Sequence, residues 1–101
     1  MGRIDKIKIG GIYFDIVRKE NLVHPVDNRR LDGHILYGES KIYLDDAMSP
    51  QAEMQTVWHE VVHGILTQAG MDAKENLIDC IAYGIIMVLV DNPQLADVKP
   101  K

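Results

Sequence analysis

Two periodicities divide the chain. Over residues 4–17 the apolar positions Ile7, Ile9, Ile12, Phe14 and Ile16 alternate with mostly polar ones, with one slip at Gly10-Gly11. Alternation of period two buries one face of a sheet, and the slip predicts two strands joined by a turn or one strand bent by a bulge. Residues 20–32, with Pro25, Asn28 and Arg29-Arg30, are polar and turn-rich. They read as a loop, with a short helix as the alternative. Residues 34–37 and 41–44 flank Gly38-Glu39-Ser40 and predict a hairpin, its second strand turning Ile42 and Leu44 one way and Tyr43 the other.

From Ser49 onward the period becomes helical. The Ser49 hydroxyl is placed to accept an orphan backbone N–H, and Pro50 is pre-set for the first helical position. A helix over residues 50–69 follows, with an apolar stripe that includes Val57, Trp58, Val61, Val62, Ile65 and Leu66, and Gly70 is placed to end it in a left-handed cap. A second helix is predicted from Asp72, carrying Ile78, Ile81, Ala82, Ile85 and Leu89 at helical spacing until Asn92-Pro93 stops it. The expected architecture is α+β: a small N-terminal antiparallel sheet packed on a C-terminal αα-hairpin. One domain over residues 1–101 is expected, with strands and loops to residue 48, two helices over 49–93 and a loose tail over 94–101.

Composition narrows the function classes. The formal net charge is −4 and the basic residues are scattered, among them Arg3, Lys6, Lys8, Arg18 and Lys19, so nucleic acid is not an expected partner. Cys80 is the single cysteine, which excludes an intrachain disulfide and a multi-cysteine zinc knuckle, and it reads as a small core residue. The N-terminal ten residues contain no apolar signal core, and the apolar run over residues 80–90 is too short to span a bilayer. A cytoplasmic protein without a membrane partner is expected. A chain of this size buries a modest core, so a site is expected as an open groove.

The chemistry lies in His59-Glu60-Val61-Val62-His63. Two histidines four apart share one face of a helix, so both imidazoles can reach one Zn²⁺ ion and leave positions for a third ligand and a water. Glu60 is the expected general base for that water. The longer metzincin signature is absent, because Leu66 and Ala69 stand where its glycine and second histidine belong. On the second helix Glu75 and Asp79 are four apart: Glu75 is a candidate third ligand, and Asp79 a candidate acceptor for a histidine's other ring N–H. Asp72-Ala73-Lys74-Glu75 reads equally well as a capping box, and Asp79 as a solvated carboxylate. His34 and Tyr43 are minor candidates for reaching a reacting oxygen.

The stretch from Lys41 to His63, continued by Glu75 to Asp79 and by Asp91-Asn92-Pro93, resembles small phage-type zinc peptidases of the ImmA/IrrE-like group. These are similar to minigluzincins, a compact form of the gluzincin peptidases that include thermolysin. The resemblance covers roughly residues 33–93 and implies a zincin-like domain that hydrolyses peptide bonds in a protein substrate, a repressor being one example. It implies zinc on His59, His63 and Glu75, general base and acid at Glu60, and Asp79 orienting His59. It also implies that the strand before the active-site helix, with Lys41, Ile42, Tyr43 and Leu44, is an edge strand that holds substrate in extended form. Only about twelve residues separate His63 from Glu75, fewer than in larger gluzincins, which implies weak or highly selective catalysis. The rival reading is a non-catalytic, zinc-stabilised module that binds a protein partner.

Overall fold

The computed structural model describes residues 4–97. Its elements are β1 (Lys6–Ile9), β2 (Ile12–Lys19), β3 (Gly33–Leu36), β4 (Lys41–Asp45), α1 (Pro50–Gln68), α2 (Glu75–Asp91) and a short 3-10 helix (Pro93–Asp97). Part of the expected tail is thus ordered as that 3-10 turn; residues 98–101 of it, like Arg3, lie outside the described residues.

The slip at Gly10-Gly11 is a turn between two strands. Both glycines adopt positive φ, 56° and 90°, and Ile9 pairs directly with Ile12. Left-handed residues at both central positions give a hairpin turn whose twist matches that of the strands. Residues 20–32 form a loop folded on itself, in which Val23 and Arg30 make an isolated antiparallel bridge and Leu22 is buried. The expected second hairpin joins β3 to β4, with Ser40 in the left-handed region at its tip.

The α+β class is as expected, but the sheet is mixed. Strand order is β1-β2-β4-β3; β1–β2 and β3–β4 are antiparallel, whereas β2 and β4 run parallel, with Ile16 opposite Ile42. The long 20–32 connection carries the chain past the place β4 will fill, lays down β3 first, and lets the hairpin return β4 into the gap. A wholly antiparallel sheet is therefore incorrect, and so is an edge position for β4: it has a neighbour on each side, and the edges are β1 and β3.

One sheet face packs on α1. Phe14 and Ile16 from β2, Ile42 and Leu44 from β4, Ile9 and Ile35 from the outer strands, and Val57 of α1 form the larger core. Burying Phe14, Ile42 or Leu44 completely contributes about 1.5–3 kcal/mol each. Gly64 lets the helix close on the sheet, since a Cβ there would stand 3.1 Å from Ile9 Cδ1. Arg18 of β2 forms a close ion pair with Glu53 in the first turn of α1 and also donates to the Ile4 carbonyl at 3.1 Å.

The caps of α1 follow the sequence. Ser49 Oγ accepts from Ala52 N–H at 3.2 Å. At the other end Gly70, with φ of 72°, donates to Thr67 O at 3.0 Å, and Met71 N–H donates to Leu66 O at 2.8 Å. These two bonds satisfy carbonyls of the last turn and reverse the chain. The second helix returns along α1, burying Ile78 and Ala82 against Val62, with Trp58, Leu66 and Ile85 around them. It touches α1 and the 3-10 helix and no strand, so the layers run sheet, α1, α2. Cys80 is exposed and not a core residue, because the inward face of α2 is occupied by Ile78 and Ala82. Among the described residues no helix is long and apolar enough to cross a membrane.

Candidate metal centre

The αα-hairpin brings the predicted polar residues together. His59 and His63, one turn apart on α1, face each other with ring centroids 4.9 Å apart. The Glu75 carboxylate reaches both, with Oε2 2.7 Å from His59 Nε2 and Oε1 3.0 Å from His63 Nε2. On the other edge of the first ring, Asp79 Oδ1 lies 2.6 Å from His59 Nδ1.

The predicted capping box does not form. The N-cap of α2 is Lys74, without a side-chain cap bond, and Glu75 is the first helical residue rather than the fourth of a box begun at Asp72. Residues 71–74 form no regular element after the Gly70 turn, with Ala73 packed against the inter-helix cluster and Lys74 extended. That offset presents Glu75 to the two imidazoles instead of to its own backbone.

The donor set fits a divalent cation. Two imidazole nitrogens and a carboxylate are the ligands of a catalytic zinc site with one position left open. Ligands at about 2.0–2.1 Å in a tetrahedron stand about 3.3 Å apart, somewhat wider than the 2.7 and 3.0 Å of the two Glu75 contacts. Glu75, at 70% side-chain exposure, has room to make that adjustment. The acceptor on His59 Nδ1 matters as much: a proton held there by Asp79 leaves the Nε2 lone pair for a metal. Glu60 also offers a carboxylate oxygen within 4.8 Å of the histidine nitrogens, which makes His59, Glu60 and His63 a competing triple. The shorter contacts, made to both Nε2 atoms, favour Glu75 as ligand and leave Glu60 beside the site.

Glu60 is 5% exposed on the core side of this cluster. Burial pushes its carboxyl up to about 7, with His59 opposing the shift and Glu75 adding to it. A carboxyl that titrates near neutrality can both take and return a proton. For His59, burial works to lower the pKa, but the bond to Asp79 and the charges of Glu60, Asp79 and Glu75 more than offset it and hold the imidazole above its ordinary value.

Two open hollows meet at the cluster. One, of about 460 Å³, is lined by Asp32, Gln55, Thr56, Asp79 and Tyr83; the other, of about 560 Å³, by His24, Arg29, His34, Tyr37 and Glu75 among others. Gly33, His59 and Glu60 belong to both. No protein-family model, characterised protein or solved structure matches the chain. The residues and their geometry therefore carry the functional assignment.

Lys41, Ile42, Tyr43 and Leu44 line neither hollow, and Ile42 and Leu44 are fully buried. The strand beside the cluster is β3. Its first residue, Gly33, approaches α1 so closely that a Cβ would meet Thr56 Cγ2 at 2.5 Å. The 20–32 loop walls the larger hollow through His24 and Arg29, and the His24 ring stands 5.8 Å from that of His34. Burial, followed by the charge of His24, lowers the His34 pKa and favours the neutral imidazole there. Tyr43 points elsewhere and donates to Glu39 Oε1 at 2.8 Å.

Proposed function

We propose that this chain is a zinc-dependent endopeptidase of the minigluzincin type, acting on an extended segment of a protein substrate. The observation that carries this reading is the Glu75 carboxylate spanning His59 Nε2 and His63 Nε2, with Asp79 behind His59 and Glu60 buried alongside. His59, His63 and Glu75 would hold the ion. When bound, zinc would polarise the scissile carbonyl and acidify a water.

The chain's own residues supply the rest. Asp79 fixes the His59 tautomer and ring orientation. Glu60 takes a proton from the attacking water and returns it to the leaving amine, a double role suited to a carboxyl pushed up to about 7. Strand β3 has a neighbour on one side only among the described residues, so its other edge can add a substrate strand through main-chain hydrogen bonds. The hollows on either side of His59 and Glu60 then receive side chains flanking the scissile bond. Working within a bacterial cytoplasm, with a repressor as substrate, is part of the proposal and rests on the family resemblance.

The test pairs elemental analysis with peptide cleavage. Protein purified without affinity histidines should carry near-stoichiometric zinc, and Glu75→Ala should lose most of it. Glu60→Gln should keep the zinc and lose cleavage of a peptide library. Zinc retained in Glu75→Ala refutes the ligand set, and cleavage surviving in Glu60→Gln refutes the general base. Zinc binding with no cleavage in the wild type turns the reading to a zinc-stabilised binding module.

A further inference from the structure

The second helix is apolar on both faces. One face packs on α1; the other carries Leu77, Ile81, Gly84 and Val88, spaced four, three and four residues apart, with Tyr83 and Met87 beside them. Leu77 is 52% exposed, Tyr83 53% and Met87 58%. No charged residue occurs from position 80 to position 90. A surface helix in water normally sets a charged face opposite its apolar one, and a helix apolar all round is one that is covered.

We propose that this outward face of α2 is the interface of a symmetric homodimer, two copies of α2 crossing antiparallel at Gly84. Gly84 is the first argument. It sits near the middle of α2 with an ordinary helical backbone, where glycine is a poor helix former, and a Cβ added to it would meet nothing within 4 Å. Packing within the chain gives no reason for a glycine; close approach of a second helix does.

Area is the second argument. A half-exposed side chain of this size leaves roughly 100 Å² uncovered, so these residues with the 72%-exposed Val90 present on the order of 600 Å² of apolar surface around the outer half of α2. Soluble monomers rarely leave more than a few hundred Å² bare, and about 800 Å² per partner makes a stable interface.

Charge selects the occupant. The charged residues of α2 are Glu75, Asp79 and Asp91, with no Lys or Arg, which disfavours an anionic membrane surface. Apart from Asp91 at its C-terminal end, the face has no charge for a heterologous partner to complement. A two-fold axis through Gly84 sets Ile81 of one helix near Met87 and Val88 of the other, so the centre of the patch complements itself. Glu75 and Asp79 are turned toward His59 and His63 on α1; Tyr83 borders the smaller hollow, and the larger hollow is lined by none of the patch residues.

The test is sedimentation equilibrium of the full chain from about 1 to 100 μM, a range that covers ordinary homodimer affinities. The wild type should approach twice its 11.4 kDa chain mass. Val88→Glu should raise the dimer dissociation constant by about 100-fold or more while keeping the far-ultraviolet circular dichroism. Gly84→Ala guards against a variant that merely misfolds: it should raise helix stability in the monomer yet weaken the dimer about tenfold or more. A wild type that stays monomeric throughout overturns the proposal, whether or not it binds lipid vesicles or another protein. So does a dimer that neither substitution weakens.

Discussion

The Glu75 carboxylate stands 2.7 Å from His59 Nε2, across the turn that joins two antiparallel helices. The contact ties the first residue of α2 to the middle of α1, so a cation held there would link the two helices directly. Binding to the folded state alone stabilises it by RT ln(1 + [L]/Kd), about 2.7 kcal/mol at a hundredfold excess over Kd. For a domain of this size that raises the melting temperature by on the order of 10 °C. Calorimetry of chelated protein with and without added zinc should show this rise, and Glu75→Ala should show little of it. Equal melting temperatures in the wild type would leave the cluster without a metal.

The bond between Asp79 and His59 Nδ1 makes a narrower prediction. Asp79→Ala removes the group that fixes the imidazole tautomer without removing a ligand. Zinc affinity should fall about 10- to 100-fold, the usual cost of losing such a support, while the chelated protein keeps its helical content. Competition with a chromophoric chelator measures the first and circular dichroism the second. Unchanged affinity would make Asp79 a solvated carboxylate.

Much of this was legible in the residues, and what was not has physical reasons. The boundaries of α1 follow from Ser49, Pro50 and Gly70 because capping is local chemistry. His59 and His63 share a face because helical spacing puts them there. Glu75 offered two local fates, a capping bond or a place facing the histidines, and only the placement of the N-cap at Lys74 rules out the first. Strand order lies beyond local signals. Nothing in Lys41 to Leu44 says that it will be inserted between β2 and β3, which leaves β1 and β3 at the edges of the sheet. The exposure of Cys80 also depends on tertiary placement, because α1 lies between the sheet and α2 and leaves α2 as an outer layer.

Gly64 sets the distance between α1 and the sheet. Alanine there gains helix propensity, about 1 kcal/mol, against a 3.1 Å approach to Ile9 Cδ1 that a methyl shift can relieve. Valine adds two γ-carbons facing Ile9 and Ile35. Gly64→Val should lower stability by about 1–3 kcal/mol, the range for overpacking, and Gly64→Ala should lie close to the wild type in urea unfolding. A neutral valine would mean that the helix is free to ride away from the sheet.

The last prediction concerns pH and the metal-free protein. Glu60 titrates at about 7 in the fold and at 4.5 when unfolded, so between those values the folded state binds more protons. Stability must then fall as pH rises from about 4.5 to 7, by on the order of 3 kcal/mol from this group, and level off above its folded pKa. His59 acts in the same direction over a higher window. Its pKa is held above 6.5, so its contribution is complete below 6.5 and is lost as pH rises through the folded value. Chelated protein should therefore resist urea better at pH 5 than at pH 8, the reverse of a protein whose carboxylates are stabilised by ion pairs. Glu60→Gln should flatten the profile between 4.5 and 7 and also shrink the higher limb, because the Glu60 charge helps to hold the His59 pKa up. If the wild-type profile is already flat across that range, the Glu60 carboxyl is not held neutral by burial, and its fitness to pass a proton in both directions at neutral pH goes with it.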